Sequence, residues 1–233
     1  TRWATHGIAN EVNAHPHFDA KQRFSIVHNG IIENYLQLKS DLIKDGFLFR
    51  SQTDSEVIVH LVDKFYNGSL MDAVQKTVAC LEGSFAFCVV SAFDSNCMIV
   101  ARKNSPLIIG VGEKENYVSS DVNAIIPHTK RVIYLDDDTV AQVCKQNIEI
   151  FDFQGNKCPY KVSDVDWSSE KSEKNGFDYF MQKEIYEQPQ IVRHILDTYI
   201  KDNQIVFPDL KFKEAELKNM SRFIIQACGT SWH

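Results

Sequence analysis

Asn29-Gly30 follows the run Phe24-Ser25-Ile26-Val27-His28, which reads as a short strand. A side-chain amide and a backbone N–H offered together at a strand end make a two-donor anion site, the arrangement that acyl transfer needs for its tetrahedral oxyanion. Losing one such donor costs on the order of 2.7–4 kcal/mol of transition-state stabilisation. The competing reading is an ordinary tight turn, the usual meaning of an isolated Asn-Gly. Arg2 and Asp54 supply a second pair. A guanidinium grips a carboxylate bidentately and a carboxylate takes an ammonium group, so together they can hold an α-amino acid. Asp54 also falls in the first turn of a helix, where its charge favours the helix dipole, and spacing does not decide between these roles.

A nucleophile is harder to find. Thr1 leads straight into Arg2-Trp3-Ala4 and is rejected as an activated N-terminal threonine. Ser25 and the cysteines have no general base at useful spacing. His15-Pro16-His17 lacks a third ligand nearby and reads as structural, with no metal site. Gly229-Thr230-Ser231, after the strand-like run Arg222 to Cys228, offers hydroxyls and N–H groups suited to phosphate, although such loops are usually plain turns. The residues therefore describe a binding pocket and an anion hole without a nucleophile.

The elements that must position these groups follow from periodicity. Ile31, Tyr35, Leu38 and Leu42 recur at helical spacing, with Gly46 as a left-handed C-cap. Thr53-Asp54-Ser55-Glu56 reads as a capping box ahead of Val57, Ile58, Leu61, Val62 and Phe65, in a helix ended by Gly68. A third helix is expected over Leu70 to Glu82. After Gly83 come β-rich runs at Phe85–Ala92, Cys97–Lys103, Leu107–Val111, Tyr117–Ser120, Val132–Leu135, Thr139–Cys144 and Ile148–Phe153, separated by turn signals such as Asp94-Ser95-Asn96. Helices first and an antiparallel meander after, without β-α alternation, give an α+β or layered αββα class. The polar stretch from Ser163 to Gly176 reads as a linker, and Met181 to Ile200 as a helix broken or restarted at Pro189.

Composition bounds the function. The 233 residues carry 25 Lys+Arg against 31 Asp+Glu, a net charge of -6, and 44% hydrophobic residues, which excludes disorder for most of the chain. Basic residues are scattered singly, with no footprint for a nucleic-acid backbone. No apolar stretch approaches the ~20 residues needed to span a membrane. The cysteines at 80, 88, 97, 144, 158 and 228 form no C-x-x-C pair and read as reduced, buried thiols in a cytoplasmic setting. The chain opens on Thr1 without an initiator Met, and the expectation is a chain cut rather than begun.

In order and nearly end to end, these pieces resemble the glutamine–fructose-6-phosphate aminotransferase (isomerising) family. The segments that carry the resemblance are Thr1-Arg2-Trp3-Ala4-Thr5-His6-Gly7, Val12-Asn13-Ala14-His15-Pro16-His17, His28 to Asn34, Thr53-Asp54-Ser55-Glu56, Phe180 to Pro189 and Ala227-Cys228-Gly229-Thr230-Ser231. The first four are shared, more loosely, with other class II glutamine amidotransferases; Met181 to Pro189 is more particular to this family. The resemblance implies a four-layer αββα N-terminal-nucleophile hydrolase fold over residues 1–165, a linker over 166–176, and the first elements of an α/β sugar-isomerase (SIS) domain over 177–233. It implies glutamine hydrolysis in the first domain and ammonia transfer to fructose 6-phosphate in the second, forming glucosamine 6-phosphate in the first step of hexosamine synthesis. No metal or organic cofactor is needed, and the parent is expected to be a homodimer through its SIS domain.

Carried over by position, Arg2 and Asp54 hold glutamine, Asn29 and Gly30 form the oxyanion hole, and Trp3 gates the channel. Thr5, His6 and Gly7 complete the glutamine pocket, and Thr230 and Ser231 begin the sugar-phosphate site. The family's cysteine nucleophile is not in this sequence, so the chain as given is expected to hydrolyse no glutamine. The alternatives are another class II amidotransferase, a non-catalytic glutamine or sugar-phosphate module, or a purely structural interaction protein.

Overall fold

The strands from Gly83 onward bury side chains on both faces, which forces a sheet covered on each side. In the computed structural model, which describes residues 6–165, 174, 176–207, 218–219, 221–222 and 224, the chain divides into two units, Thr1–Ser172 and Glu173–His233. The first unit runs β1 (His17–Phe18), β2 (Phe24–Ile32), α1 (Tyr35–Lys44), α2 (Glu56–Phe65) and α3 (Leu70–Val78), then β3 (Gly83–Ser91) and β4 (Asp94–Lys103). It continues through β5 (Ile108–Val111), β6 (Asn116–Ser119), β7 (Arg131–Tyr134), β8 (Thr139–Cys144), β9 (Ile148–Asp152) and β10 (Ser163–Asp164). Six strands form one antiparallel sheet in the order β1-β2-β3-β4-β8-β9, and four form a second in the order β10-β7-β5-β6.

Side-chain alternation sorts the core into layers. Phe85, Phe87 and Val89 of β3 and Ile99 and Ala101 of β4 face Leu42, Val57, Ile58, Leu61, Val62 and Val74 of the three helices. Ala86 and Val100, one residue out of phase, face Ile109, Ile133 and Leu135 of the second sheet. The outer face of that sheet is covered by Val122, Ile125 and Ile126, around a one-turn 3-10 helix at Val122–Ala124. The order is helices, six-stranded sheet, four-stranded sheet and a short helical turn.

Several sequence expectations are corrected. Asn29-Gly30 is not a turn: β2 runs through it, with Asn29 opposite Ala86 and Gly30 opposite Phe85. Ile31 belongs to this strand, and α1 starts at Tyr35. Long-range pairing with β3 overrides the local Asn-Gly preference. The Thr53–Glu56 capping box does not form, since the helix begins at Glu56 and its carboxylate turns back to Ser51. Helix α3 ends at Val78 rather than Glu82. Asp94-Ser95-Asn96 lies within β4, and Ser163-Asp164 is a strand paired with β7 rather than linker. Cys97 and Cys144, opposed in the β4–β8 ladder with Cα atoms 4.1 Å apart, form a disulfide, which corrects the reading of six reduced thiols.

The described part of the second unit holds α4 (Phe180–Tyr199), which continues through Pro189 without the expected break. A hairpin of β11 (Ile200–Lys201) and β12 (Gln204–Ile205) follows. Its turn residues Asp202 and Asn203 both have positive φ, as a two-residue type I′ turn requires. No helix among the described residues is long and apolar enough to cross a membrane. The run Arg222 to Cys228, expected as a strand, lies mostly outside the described residues.

Gly30 marks the closest approach in the β2–β3 pair. Its φ is +125°, and a Cβ there would lie 2.1 Å from the Ser84 carbonyl oxygen. Gly30→Ala is expected to destabilise the chain by about 3 kcal/mol or more, because backbone rather than a flexible side chain must move. Urea unfolding checks this; an unchanged midpoint would mean that the two strands do not meet in this register.

Candidate functional site

The polar residues of the site gather where β2 loses its outer neighbour. Among the described residues β1 pairs with β2 only at Ile26 and Ser25, so beyond that point they leave this edge of β2 open. Antiparallel alternation sends the N–H groups of every second residue to that edge. Ile32 is one of them, and its N–H donates to Asp54 Oδ2 at 2.9 Å. Gly30, two residues earlier, presents its N–H to the same edge.

Asp54 is held there by a buried polar chain beneath the start of α2. The Glu56 carboxylate accepts from the amides of Arg50 (2.8 Å) and Ser51 (2.7 Å) and from the Ser51 hydroxyl (2.6 Å), with His60 Nε2 at 3.4 Å. Burial pushes the Glu56 pKa up, but the hydrogen bonds from His60, Ser51 and Arg50 outweigh it and hold the pKa at about 2. The chain continues from Ser51 Oγ to Thr53 Oγ1 (2.9 Å) and from there to His17 Nε2 (3.2 Å). The Phe47–Ser55 segment is thus anchored at both ends of its polar run, and Asp54 has little freedom to move.

His28, on the helix-facing side of β2, places Nδ1 2.8 Å from Ser55 Oγ, which also lies 3.3 Å from His15 Nε2. Burial is the main cause that lowers the His28 pKa to about 4; His15 and His17 lower it further, and Asp54 opposes them. On the opposite face of the strand the Asn29 amide donates from Nδ2 to Ser120 Oγ at 3.2 Å. A cavity of about 800 Å³ is lined by His6, His15, His28, Asn29, Gly30, Asp54 and Ser55, with Ala86, Met98, Leu107 and Ser120 among the residues of its second-sheet side. His6 Nδ1 stands 3.7 Å from Asp54 Oδ1.

Of the residues singled out in the sequence, His6, Asn29, Gly30 and Asp54 therefore meet in one cavity. Gly7 falls outside its lining and packs against Asn13, whose amide nitrogen would be 2.8 Å from an added Cβ. Arg2, Trp3, Thr5, Thr230 and Ser231 lie outside the described residues. Sequence reasoning passed over Ser55, His28 and Ser120 and treated His15 as structural. The one local signal for Ser120 was a Ser-Ser-Asp run after a strand.

A neutral buried His28 makes stability depend on pH. Its folded pKa of about 4 lies below the ordinary 6.5, so the stability it contributes is complete above pH 6.5 and declines as pH falls toward 4. Between pH 7 and pH 4.5 the loss should be about 2–3 kcal/mol. His28→Gln should lose less over the same interval when both are unfolded in urea, and equal losses would mean that His28 is not buried in its neutral form.

The comparisons with known proteins fit this geometry. The family described as "Glutamine amidotransferase domain" matches residues 2–127, more than half of the chain. The glutamine–fructose-6-phosphate aminotransferase (isomerizing) of Aquifex aeolicus is 47% identical over 233 residues, all of this chain and 38% of that protein. Its counterparts in Thermotoga maritima and Clostridium acetobutylicum are 42% and 41% identical, again over the whole chain and 38% of their length. The chain thus spans well under half the length of the curated relatives it matches. Among solved structures, the glutamine phosphoribosylpyrophosphate amidotransferase of B. subtilis aligns with a TM-score of 0.54 and 25% identity, over 67% of this chain and 34% of that one. A structure described as the allosteric regulatory enzyme of purine biosynthesis gives a TM-score of 0.52 at 25% identity, over 61% of this chain and 31% of that chain. The fold is that of the N-terminal-nucleophile hydrolase amidotransferases, and the chain belongs to the glutamine amidotransferase domain family.

Proposed function

We propose that the cavity at the open edge of β2 is the glutamine site of a glutamine–fructose-6-phosphate aminotransferase, of which this chain forms the pocket-bearing part. One observation carries the reading. A side-chain amide, a backbone N–H and a buried carboxylate, from Asn29, Gly30 and Asp54, surround one cavity of a size suited to a small molecule. When a nucleophile attacks the glutamine amide, the carbonyl oxygen gains charge, and Asn29 and Gly30 offer it two donors. Asp54, already fixed by Ile32 N–H through Oδ2, turns its remaining acceptor capacity to the substrate ammonium, with His6 beside it. Arg2 takes the carboxylate, and Trp3 and Thr5 complete the pocket and its gate.

The nucleophile in this reading is a cysteine that the present sequence does not include, so the chain alone releases no glutamate. Residues 1–165 act as the glutaminase domain, 166–176 as linker and 177–233 as the beginning of the sugar-isomerase domain, with Thr230 and Ser231 at the sugar phosphate. The full transferase works in the cytoplasm as a homodimer on glutamine and fructose 6-phosphate. Identity of 41–47% over the whole of this chain, which is 38% of each relative's length, to the Aquifex, Thermotoga and Clostridium proteins supports that choice of acceptor over a phosphoribosyl acceptor.

In the complete transferase, glutamate release stimulated by fructose 6-phosphate, with matching glucosamine 6-phosphate, is the expected result; glutamate without amino sugar would point to another acceptor. Asp54→Asn keeps an oxygen for Ile32 N–H but removes the charge, and should raise the glutamine KM on the order of 10- to 100-fold. An unchanged KM would remove Asp54 from the pocket. Asn29→Ala should instead lower kcat on the order of 10²- to 10³-fold with little change in KM. A normal kcat would leave Asn29 as a strand residue only.

A further inference from the structure

An asparagine amide serves as an oxyanion donor only while its plane is held, because the group must be oriented before charge develops. Asn29 sits on an exposed position of β2, where backbone pairing fixes its Cα but leaves the side-chain torsions open. What meets the amide is Ser120 Oγ, 3.2 Å from Nδ2, from a residue 91 positions later in the loop just past β6 of the other sheet. Ser120 is itself tied down. Just before it, Ser119 pairs with Ile108 at the end of β6, and its hydroxyl accepts from the Asp121 amide at 3.1 Å. Just after it, the Asp121 carboxylate accepts from the Asn123 amide at 2.9 Å and caps the 3-10 turn. Val122, Ile125 and Ile126 bury that turn against the second sheet. The loop that presents the hydroxyl is thus anchored on both sides of residue 120.

We infer that Ser120 is a positioning residue for Asn29: its hydroxyl engages one of the two amide N–H groups and fixes the direction of the other toward the developing oxyanion. The inference rests on the reading of Asn29 as an oxyanion donor given above. It also gives the loop that follows β6 a part in the reaction. Ser120 therefore acts on kcat through Asn29 and leaves glutamine binding to the Asp54 side of the cavity.

The test is a double-mutant cycle in the complete transferase, following glutamate release over a range of glutamine concentrations. Ser120→Ala should lower kcat about tenfold at unchanged glutamine KM, and Ser120→Thr, which keeps the hydroxyl, should restore it to within about threefold. Ser120→Gly serves as a second deletion of the hydroxyl should the alanine variant fail to fold. In an Asn29→Ala background, Ser120→Ala should cost nothing further, because the group it positions is gone. An unchanged kcat in the single variant, a rise in KM that accounts for the whole loss, or the same tenfold loss repeated on Asn29→Ala would each overturn the role of Ser120 while leaving Asn29 as a donor. If Asn29→Ala itself keeps a normal kcat, the oxyanion reading falls, and this inference with it.

Discussion

The hydrogen bond from Ile32 N–H to Asp54 Oδ2 joins the start of α2 to the open edge of β2, and the site depends on it. A strand edge without a partner leaves backbone donors to be satisfied by something other than a ladder. Here a side chain from the helical layer takes one of them. The same bond fixes the distance between the carboxylate and the Asn29-Gly30 segment, since only one residue separates Gly30 from Ile32. Helix position, strand edge and the spacing of the cavity's polar groups are therefore set by one contact.

Two carboxylates sit close together at the start of α2, and the structure uses them differently. Glu56 accepts from two amides and a hydroxyl and has His60 close by, so its acceptor capacity is filled inside the protein. Among the described residues the Asp54 side chain accepts from a single backbone amide, with His6 at 3.7 Å. A carboxylate offers about four lone-pair sites, so Asp54 retains room for a cationic group from outside. The low pKa of Glu56 is accordingly a statement about stability, whereas Asp54 keeps acceptor capacity toward the cavity among the described residues. Burial holds His28 neutral nearby, so that it adds no positive charge on the cavity side of β2.

The meander was legible because its signal is local. Thr139–Cys144 reads as a strand from its β-rich run between turn signals and is one, and Gly46 does take the left-handed conformation expected of a C-cap. Asn29, Gly30, His6 and Asp54 could be named from residue type and resemblance before their meeting in one cavity was visible. What failed were inferences whose competing force acts at long range. Asn-Gly favours a turn over four residues, yet nine consecutive pairings with β3 keep it extended. Glu56 satisfies a capping pattern on paper, but the Ser51 and Arg50 amides are better partners once the loop folds back. The Cys97–Cys144 pairing depends on the register of two strands separated by 47 residues, which no spacing rule encodes. Pro189 suggests a broken helix, but the missing N–H removes only one bond from a ladder of twenty residues.

The placement of the site at an edge follows from the layers themselves. The six-stranded sheet is packed on both faces, by Phe85 and Phe87 toward the helices and by Ala86 and Val100 toward the second sheet, and a polar group in either layer would need a full set of partners. Where β1 stops pairing, the described part of the sheet exposes backbone donors next to both layers at once. Along that edge, alternate residues of β2 reach in opposite directions: His28 toward Ser55 and the helices, Asn29 toward Ser120 and the second sheet. A strand held by hydrogen bonds on both of its faces cannot rotate about its own axis without breaking one of them. The direction of the Gly30 N–H between those two anchors is thus a property of the whole sandwich, and the glycine is required because Ser84 leaves no room for a side chain.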